Sequence, residues 1–320
     1  MSEMTYSQLG QSGLTVSTVG LGCNNFAARM ADEDVPKVVG AAIDEGITLF
    51  DTADVYGHAG GSETLLGQAL GSRRAEVIIA TKFGGDMQGA NGPDWGVRGS
   101  RRYIRIAVEA SLRRLGTDWI DLYQLHTPDP NTPIEETLAA LDELVTEGKV
   151  RYLGSSNLSG WQVIDADWIA RTSGYEGFIS AQNEYSWLNR GIEAELIPAL
   201  DHTGQSLLPY FPLARGLLTG KYRRGEPAPS GSRLARQADP LEHADFDTIE
   251  AIEQFARDRD VTMLEVAIGG LAAMPTVGSV IAGATSVEQV RRNVVAGLWV
   301  PSGEDLEELR KLTSSDSRSS

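Results

Sequence analysis

The feature that most constrains this chain is a regular alternation of short apolar runs with stretches of helical period. Eight runs read as strands, near Val16, Thr48, Val77, Trp119, Val150, Phe178, Ser206 and Val280, and each leads into a helix directly or through a loop. The helical stretches carry their own punctuation. Residues 32–45 put Val35, Val38, Val39, Ala42 and Ile43 on one face and stop at Gly46. Ser62 reads as the N-cap of a helix through Leu70, and Ser100 as the cap of one that Gly116 ends. Pro133 stands in the first turn of a helix that stops at Gly148. Strict alternation demands parallel strands, because each helix must carry the chain back to the starting edge. Eight such units predict an α/β fold, a closed (β/α)8 TIM barrel, with an N-terminal β-hairpin and a C-terminal amphipathic helix at 303–312. The competing architecture, an open doubly wound sheet, announces itself by a Gly-rich turn after its first strand. Here Gly20-Leu21-Gly22 lacks the third glycine in place. Residues 1–312 therefore read as one barrel domain, and the polar tail 313–320 as disordered.

In such a barrel, chemistry sits at the C-terminal ends of the strands. The stretch TLFDTADVYG, residues 48–57, ends its apolar run at Asp51 and puts Asp54 and Tyr56 in the following loop. A carboxylate at the end of a buried strand requires a cation. Lys82, ending the next strand, supplies it. An ammonium beside Tyr56 is then expected to lower the phenol's pKa from ~10 towards the working range of a general acid. His126, ending the fourth strand, is placed to hydrogen-bond a substrate oxygen. Further round the rim come Ser156 with Asn157, then Gln182, Tyr210 and the Gly283 loop. Ser155 and Ser156 have no base beside them, and the four histidines are scattered without a cysteine cluster, so neither a nucleophile nor a metal centre is indicated. A proton donor and an oxyanion site lack only an electron pair, which implies a hydride carrier.

Charge narrows the partners. With a formal net charge of -16, phosphate backbones and anionic membranes would be repelled, so neither nucleic acid nor membrane is an expected partner. A single cysteine, Cys23, excludes an intrachain disulfide, and no apolar stretch is long enough to span a bilayer. The N-terminus lacks the basic-then-apolar pattern of a signal peptide, and the expected location is the cytoplasm.

The motifs DTADVYG, ATKFG, LYQLH, GSSN, QNEYS, PYFPLARGLLTGKY and IAGATSVEQVRRN, in this order from Leu9 to about Pro301, together resemble the aldo-keto reductase family. The resemblance implies a (β/α)8 barrel reducing aldehydes and ketones with NADPH, NADH being the alternative. It implies a catalytic tetrad of Asp51, Tyr56, Lys82 and His126, in which Tyr56 protonates the carbonyl oxygen as hydride reaches carbon. It also implies that Ser156, Asn157 and Gln182 hold the nicotinamide carboxamide, that Tyr210 stacks on its ring, and that Leu213, Arg215 and Lys221 line the pyrophosphate. Gly283, Ala284, Gln289 and Asn293 would meet the adenosine end. Where many relatives carry a basic residue for the 2′-phosphate, this chain has Thr285 and Gln289. Arg291 and Arg292 follow, and the helical register decides which of them faces the cofactor. The potassium-channel β subunits share the tetrad, so a cofactor-sensing regulatory subunit is the alternative function. The absence of a long N-terminal extension that could plug a channel favours the enzyme.

Other residues read as filling ordinary structural roles. Cys23 reads as a small buried residue, His58 as a solvated loop residue and Asp54 as a loop hydrogen-bonding residue. Trp95 and Trp187 are candidates for the walls of a carbonyl pocket. Residues 223–243, long and polar after the seventh strand, are expected to form a mobile lid over the cofactor. The substrate and the oligomeric state are not written in the sequence.

Overall fold

The computed structural model describes residues 3–235 and 239–314. A two-stranded antiparallel hairpin, β1 (Tyr6–Gln8) and β2 (Thr15–Ser17), opens the chain. Eight parallel strands follow: β3 (Val19–Gly22), β4 (Leu49–Asp51), β5 (Ile78–Phe83), β6 (Ile120–Leu125), β7 (Val150–Ser156), β8 (Phe178–Gln182), β9 (Ser206–Leu207) and β10 (Val280–Gly283). They pair in the order β10-β3-β4-β5-β6-β7-β8-β9. The ring closes between its two ends, where Leu207 bridges Val277 in parallel and the Ile281 N–H donates to the Pro209 carbonyl at 3.0 Å. This is the expected (β/α)8 barrel, with one shift at the start. Val16 belongs to the hairpin, and the first barrel strand begins at Val19.

Apart from a short helix at 239–242 inside the polar segment, the helices stand where the apolar periodicity put them. These are α1 (Val35–Asp44), α2 (Tyr56–Leu70), α3 (Arg101–Leu115), α4 (Ile134–Thr146), α5 (Gly160–Ser173) and α6 (Leu196–Thr203). They continue as α7 (Asp239–Glu242), α8 (Phe246–Asp258), α9 (Met263–Ala272), α10 (Val287–Gly297) and α11 (Gly303–Leu312). Ser100 caps α3 by accepting from the Tyr103 N–H, and Gly116 ends that helix with φ 64°. Ser62 is not a cap. Buried in the first regular turn of α2, after the non-helical residues 57–60, it donates its hydroxyl to the Cys23 carbonyl at 2.8 Å instead of accepting from a backbone N–H. Of the expected tail, residues 315–320 lie outside the described residues. Thr313 is held, its Oγ1 accepting from Arg190 at 2.8 Å.

Candidate active site

Asp51 ends β4 and Lys82 lies one residue from the end of β5; the two are adjacent parallel strands, so the side chains meet. The Lys82 ammonium donates to both Asp51 carboxylate oxygens, at 2.7 and 2.8 Å, and to the Thr52 carbonyl at 2.8 Å. Lys82 is fully buried. Burial presses it towards neutrality, but Asp51 and then Tyr56 more than offset this, so its pKa stands above the ordinary lysine value. Lys82 is a cation at physiological pH. Gln182, ending β8, adds a third donor to Asp51 at 2.8 Å.

Tyr56 sits beside this pair, with the ammonium 5.0 Å from its ring centre. His126 packs edge-on against the same ring, centroids 5.8 Å apart. The proton affinity of Tyr56 corrects the sequence expectation. Its pKa is raised, not lowered, because burial outweighs the pull of Lys82, and Asp51 adds to the rise. The phenol therefore holds its proton, and the ammonium only limits how tightly. His126 is driven to about 3, by burial first and by Lys82 second, so it is a neutral imidazole. Its Nδ1 is buried without a partner.

Immediately after Tyr56 the backbone is left-handed at four successive residues: Gly57, His58, Ala59 and Gly60, with φ 66°, 58°, 64° and 104°. Each non-glycine residue held there costs roughly 1–2 kcal/mol, so His58 and Ala59 persist only because their surroundings impose the turn. Gly57 has a direct reason to lack a side chain. A Cβ there would fall 2.7 Å from the Phe26 carbonyl oxygen.

A cavity of about 870 Å³ runs from this corner to the ends of β9 and β10. Asp51, Tyr56, His126, Ser156, Asn157, Gln182 and Tyr210 line one end, and Gly283, Thr285, Gln289, Arg292 and Asn293 the other, with Leu213, Arg215 and Lys221 between. Lys82 lies behind the wall. Ser156 donates to the Gln182 carbonyl at 2.8 Å, and Asn157 to the His126 carbonyl at 2.9 Å. The Tyr210 hydroxyl donates to the Asn157 amide oxygen at 2.9 Å, so these rim residues brace one another. Gln289 also serves its own helix, accepting from the Thr285 N–H at 2.9 Å. Ala284, expected at the adenosine end, is buried in the core and does not reach the cavity. Of the two candidate cations, Arg291 turns away to an ion pair with Glu45 at 2.9 Å, while Arg292 faces the cavity.

Several cavity residues escaped the sequence reading. Asn24, Asn25 and Arg29 come from the loop after β3, and Phe211, Ser232 and Arg233 from beyond β9. Arg233 lies 4.8 Å and Arg215 5.0 Å from the Phe211 ring centre, which makes that ring a platform for two guanidiniums. Arg233 is lowered to about 10, by burial and then by Arg29 and Arg215, so three cations converge on this part of the cavity. Arg233 belongs to the segment expected as a lid. The part of that segment at 236–238 lies outside the described residues. Gln124, an inward-facing residue of β6, was also missed. It reaches Asp51 at 3.4 Å, and its polarity at an inward position was the available signal.

The two tryptophans do not wall the pocket. Trp187 is buried in the core and donates to the Val266 carbonyl at 2.9 Å. Trp95 is 70% exposed under the Arg102 guanidinium, away from the cavity lining. Cys23 is buried, as expected, and burial pushes its thiol well up, which leaves it unreactive. The Asp54 carboxyl is buried with no side-chain partner among the described residues, and only the adjacent Val55 N–H acts on it as a donor. Burial first, and Glu63 second, raise its pKa well above the carboxylate range. Among the described residues no group of histidine, cysteine and carboxylate side chains could hold a metal ion, and no helix is long and apolar enough to cross a membrane.

Comparison with known proteins agrees with this fold. The family model described as Aldo/keto reductase family matches residues 18–314. A versiconal hemiacetal acetate reductase of Aspergillus parasiticus is 36% identical over 300 residues, covering 85% of this chain and 87% of the relative. An L-glyceraldehyde 3-phosphate reductase of Escherichia coli (strain K12) is 34% identical over 309 residues, covering 92% and 88%. A protein of Arabidopsis thaliana named as a probable voltage-gated potassium channel subunit beta is 35% identical over 310 residues, covering 93% and 92%.

Proposed function

This chain belongs to the aldo/keto reductase family and is an oxidoreductase, and from that premise we propose that it reduces an aldehyde or ketone to an alcohol with NADPH, using Tyr56 as the general acid. The observation that carries this reading is the buried Asp51–Lys82 pair set against Tyr56 and a neutral His126 at one end of the cavity.

The residues present fit a phosphorylated dinucleotide. Arg215, Lys221, Arg233 and Arg292 line the cavity of an otherwise acidic protein, and the Arg233 Nε is buried without a partner. Such groups suit phosphate oxygens, which accept charge-assisted hydrogen bonds. Arg292, rather than Arg291, is the 2′-phosphate residue in this reading. The bound cofactor supplies a hydride. Everything else falls to the chain. His126, neutral throughout the physiological range, orients the carbonyl oxygen without competing for the proton. Tyr56 delivers its proton to that oxygen as negative charge develops there. The cost of leaving a phenolate in a buried site is met by the adjacent ammonium, which Asp51 and the Thr52 carbonyl hold in place, Asp51 being held in turn by Gln182.

Titration of NADPH and NADH by fluorescence quenching, followed by an aldehyde panel monitoring loss of the reduced cofactor, tests the proposal. Tyr56→Phe is expected to lower kcat at least ~100-fold while cofactor binding survives. Unchanged reduction by this variant removes Tyr56 from the chemistry. Arg292→Gln is expected to weaken NADPH about 10-fold and leave NADH unchanged, whereas Arg291→Gln does neither. The likeness to the plant channel-subunit protein supports a second reading, a cofactor-sensing regulatory subunit. Negligible turnover across the panel with tight NADPH binding would favour it.

A further inference from the structure

We propose that Arg114, through its ion pair with the buried Glu63, is a positioning residue that holds Tyr56 in its working place; the inference rests on the general-acid role proposed for Tyr56 above. Arg114 belongs to the last turn of α3, outside the barrel, and does not line the cavity. Its side chain lies flat on the backbone of Gly60, where an added Cβ would fall 2.4 Å from its Cδ and Nε. Gly60 closes the left-handed turn that begins one residue after Tyr56. Arg114 is thus the lid on that turn.

The clamp is anchored from below. The Arg114 Nε donates to Glu63 Oε2 at 2.7 Å, and Nη1 to the Asn91 amide oxygen at 3.0 Å. Glu63 is fully buried, and its other oxygen accepts from the Thr81 hydroxyl at 2.6 Å. Thr81 precedes Lys82 on β5, and the Asp54 N–H donates to the Lys82 carbonyl at 3.1 Å. One continuous chain of contacts therefore runs from Arg114 through Glu63 and Thr81 to the strand residue bearing the ammonium, and through Gly60 to the turn that follows the phenol. The separation of those two groups is set by both arms. A buried guanidinium–carboxylate pair suits this because its geometry is directional and its partners cannot drift without leaving a buried charge uncompensated.

A set of Arg114 variants, assayed for kcat, KM, NADPH affinity and melting temperature, tests the proposal. Misplacement of a reacting group by ~1 Å can cost about 100-fold, so Arg114→Gln is expected to lower kcat by about 10–100-fold while KM and the NADPH Kd move less than about threefold. Arg114→Lys, which keeps the charge, is expected to recover most of the loss. If Arg114→Gln does not fold, Glu63→Gln removes the charge that anchors Arg114 while keeping the side chain's shape beside Thr81, and the same selective loss of kcat is expected. A merely structural role would lower the melting temperature and leave kcat of the folded protein within about twofold of the parent; that result in Arg114→Gln, or in Glu63→Gln where Arg114→Gln does not fold, overturns the proposal. Tyr56→Phe separates the two failures. If it is inactive while the Arg114 variants keep their kcat, the clamp is wrong and the general acid stands; if it stays active, the underlying reading has failed.

Discussion

Two layers of the same barrel interior, two residues apart along the same strands, have opposite chemistry. Towards the N-terminal end, Leu49 on β4, Ala80 on β5 and Leu122 on β6 pack with Leu208, Ile281 and the hairpin residues Leu9, Leu14 and Val16 in a dry apolar cluster. One step up the same inward faces stand Asp51, Lys82 and Gln124, joined in a buried hydrogen-bonded network. A strand repeats its facing every two residues, so backbone and direction are shared and only the side chains differ. The apolar layer is stabilised by burial itself and tolerates loss in proportion to volume. The polar layer is held by mutual compensation, and loses most when one member alone is removed.

The sharpest way to break this contrast is a single truncation in each layer. Asp51→Ala leaves the Lys82 ammonium buried and unpaired, and is expected to destabilise the fold by about 3–5 kcal/mol as well as abolishing activity. Leu122→Ala should cost about 2–5 kcal/mol and leave kcat near the parent value in the protein that remains folded. Both are read from urea unfolding with activity assayed on the native baseline. Equal effects of the two variants on kcat would mean that the layers are not functionally distinct.

A smaller, pH-dependent effect sharpens the comparison. His126 has a folded pKa of about 3 against an ordinary value of 6.5. Between those values the unfolded chain binds a proton that the folded one excludes. The stability that His126 contributes is therefore present above about pH 6.5 and lost as pH falls towards 3, by up to ~1.4 kcal/mol per pH unit. Stability curves of the parent and His126→Gln should converge on acidification across this window. Parallel curves would show that burial of the imidazole is not what makes the polar layer acid-sensitive.

Much of this was legible in the chain. Periodicity located the helices because a helix that buries one face must repeat its apolar residues about every 3.6 positions. Strand ends located Asp51, Lys82 and His126 because barrel geometry brings those ends to one rim. Trp187 and Ala284 were misjudged because a position after a strand end does not say whether the side chain turns to the cavity or to the helix layer. Arg29 and Arg233 went unread because they lie in irregular loops, where no period relates one residue to its neighbours.

By itself the sequence determined the fold class, the Ser100 cap and Gly116 stop of α3, and the company of charged and aromatic groups on the rim, since these follow from local pattern and strand order. Only the tertiary structure decided the direction in which Tyr56 titrates, which of Arg291 and Arg292 meets the cavity, and that Arg114 lies on the turn behind Tyr56. The physical reason is common to all three. Desolvation and side-chain register depend on how completely distant segments close around a group, and that closure is a property of packing rather than of spacing along the chain.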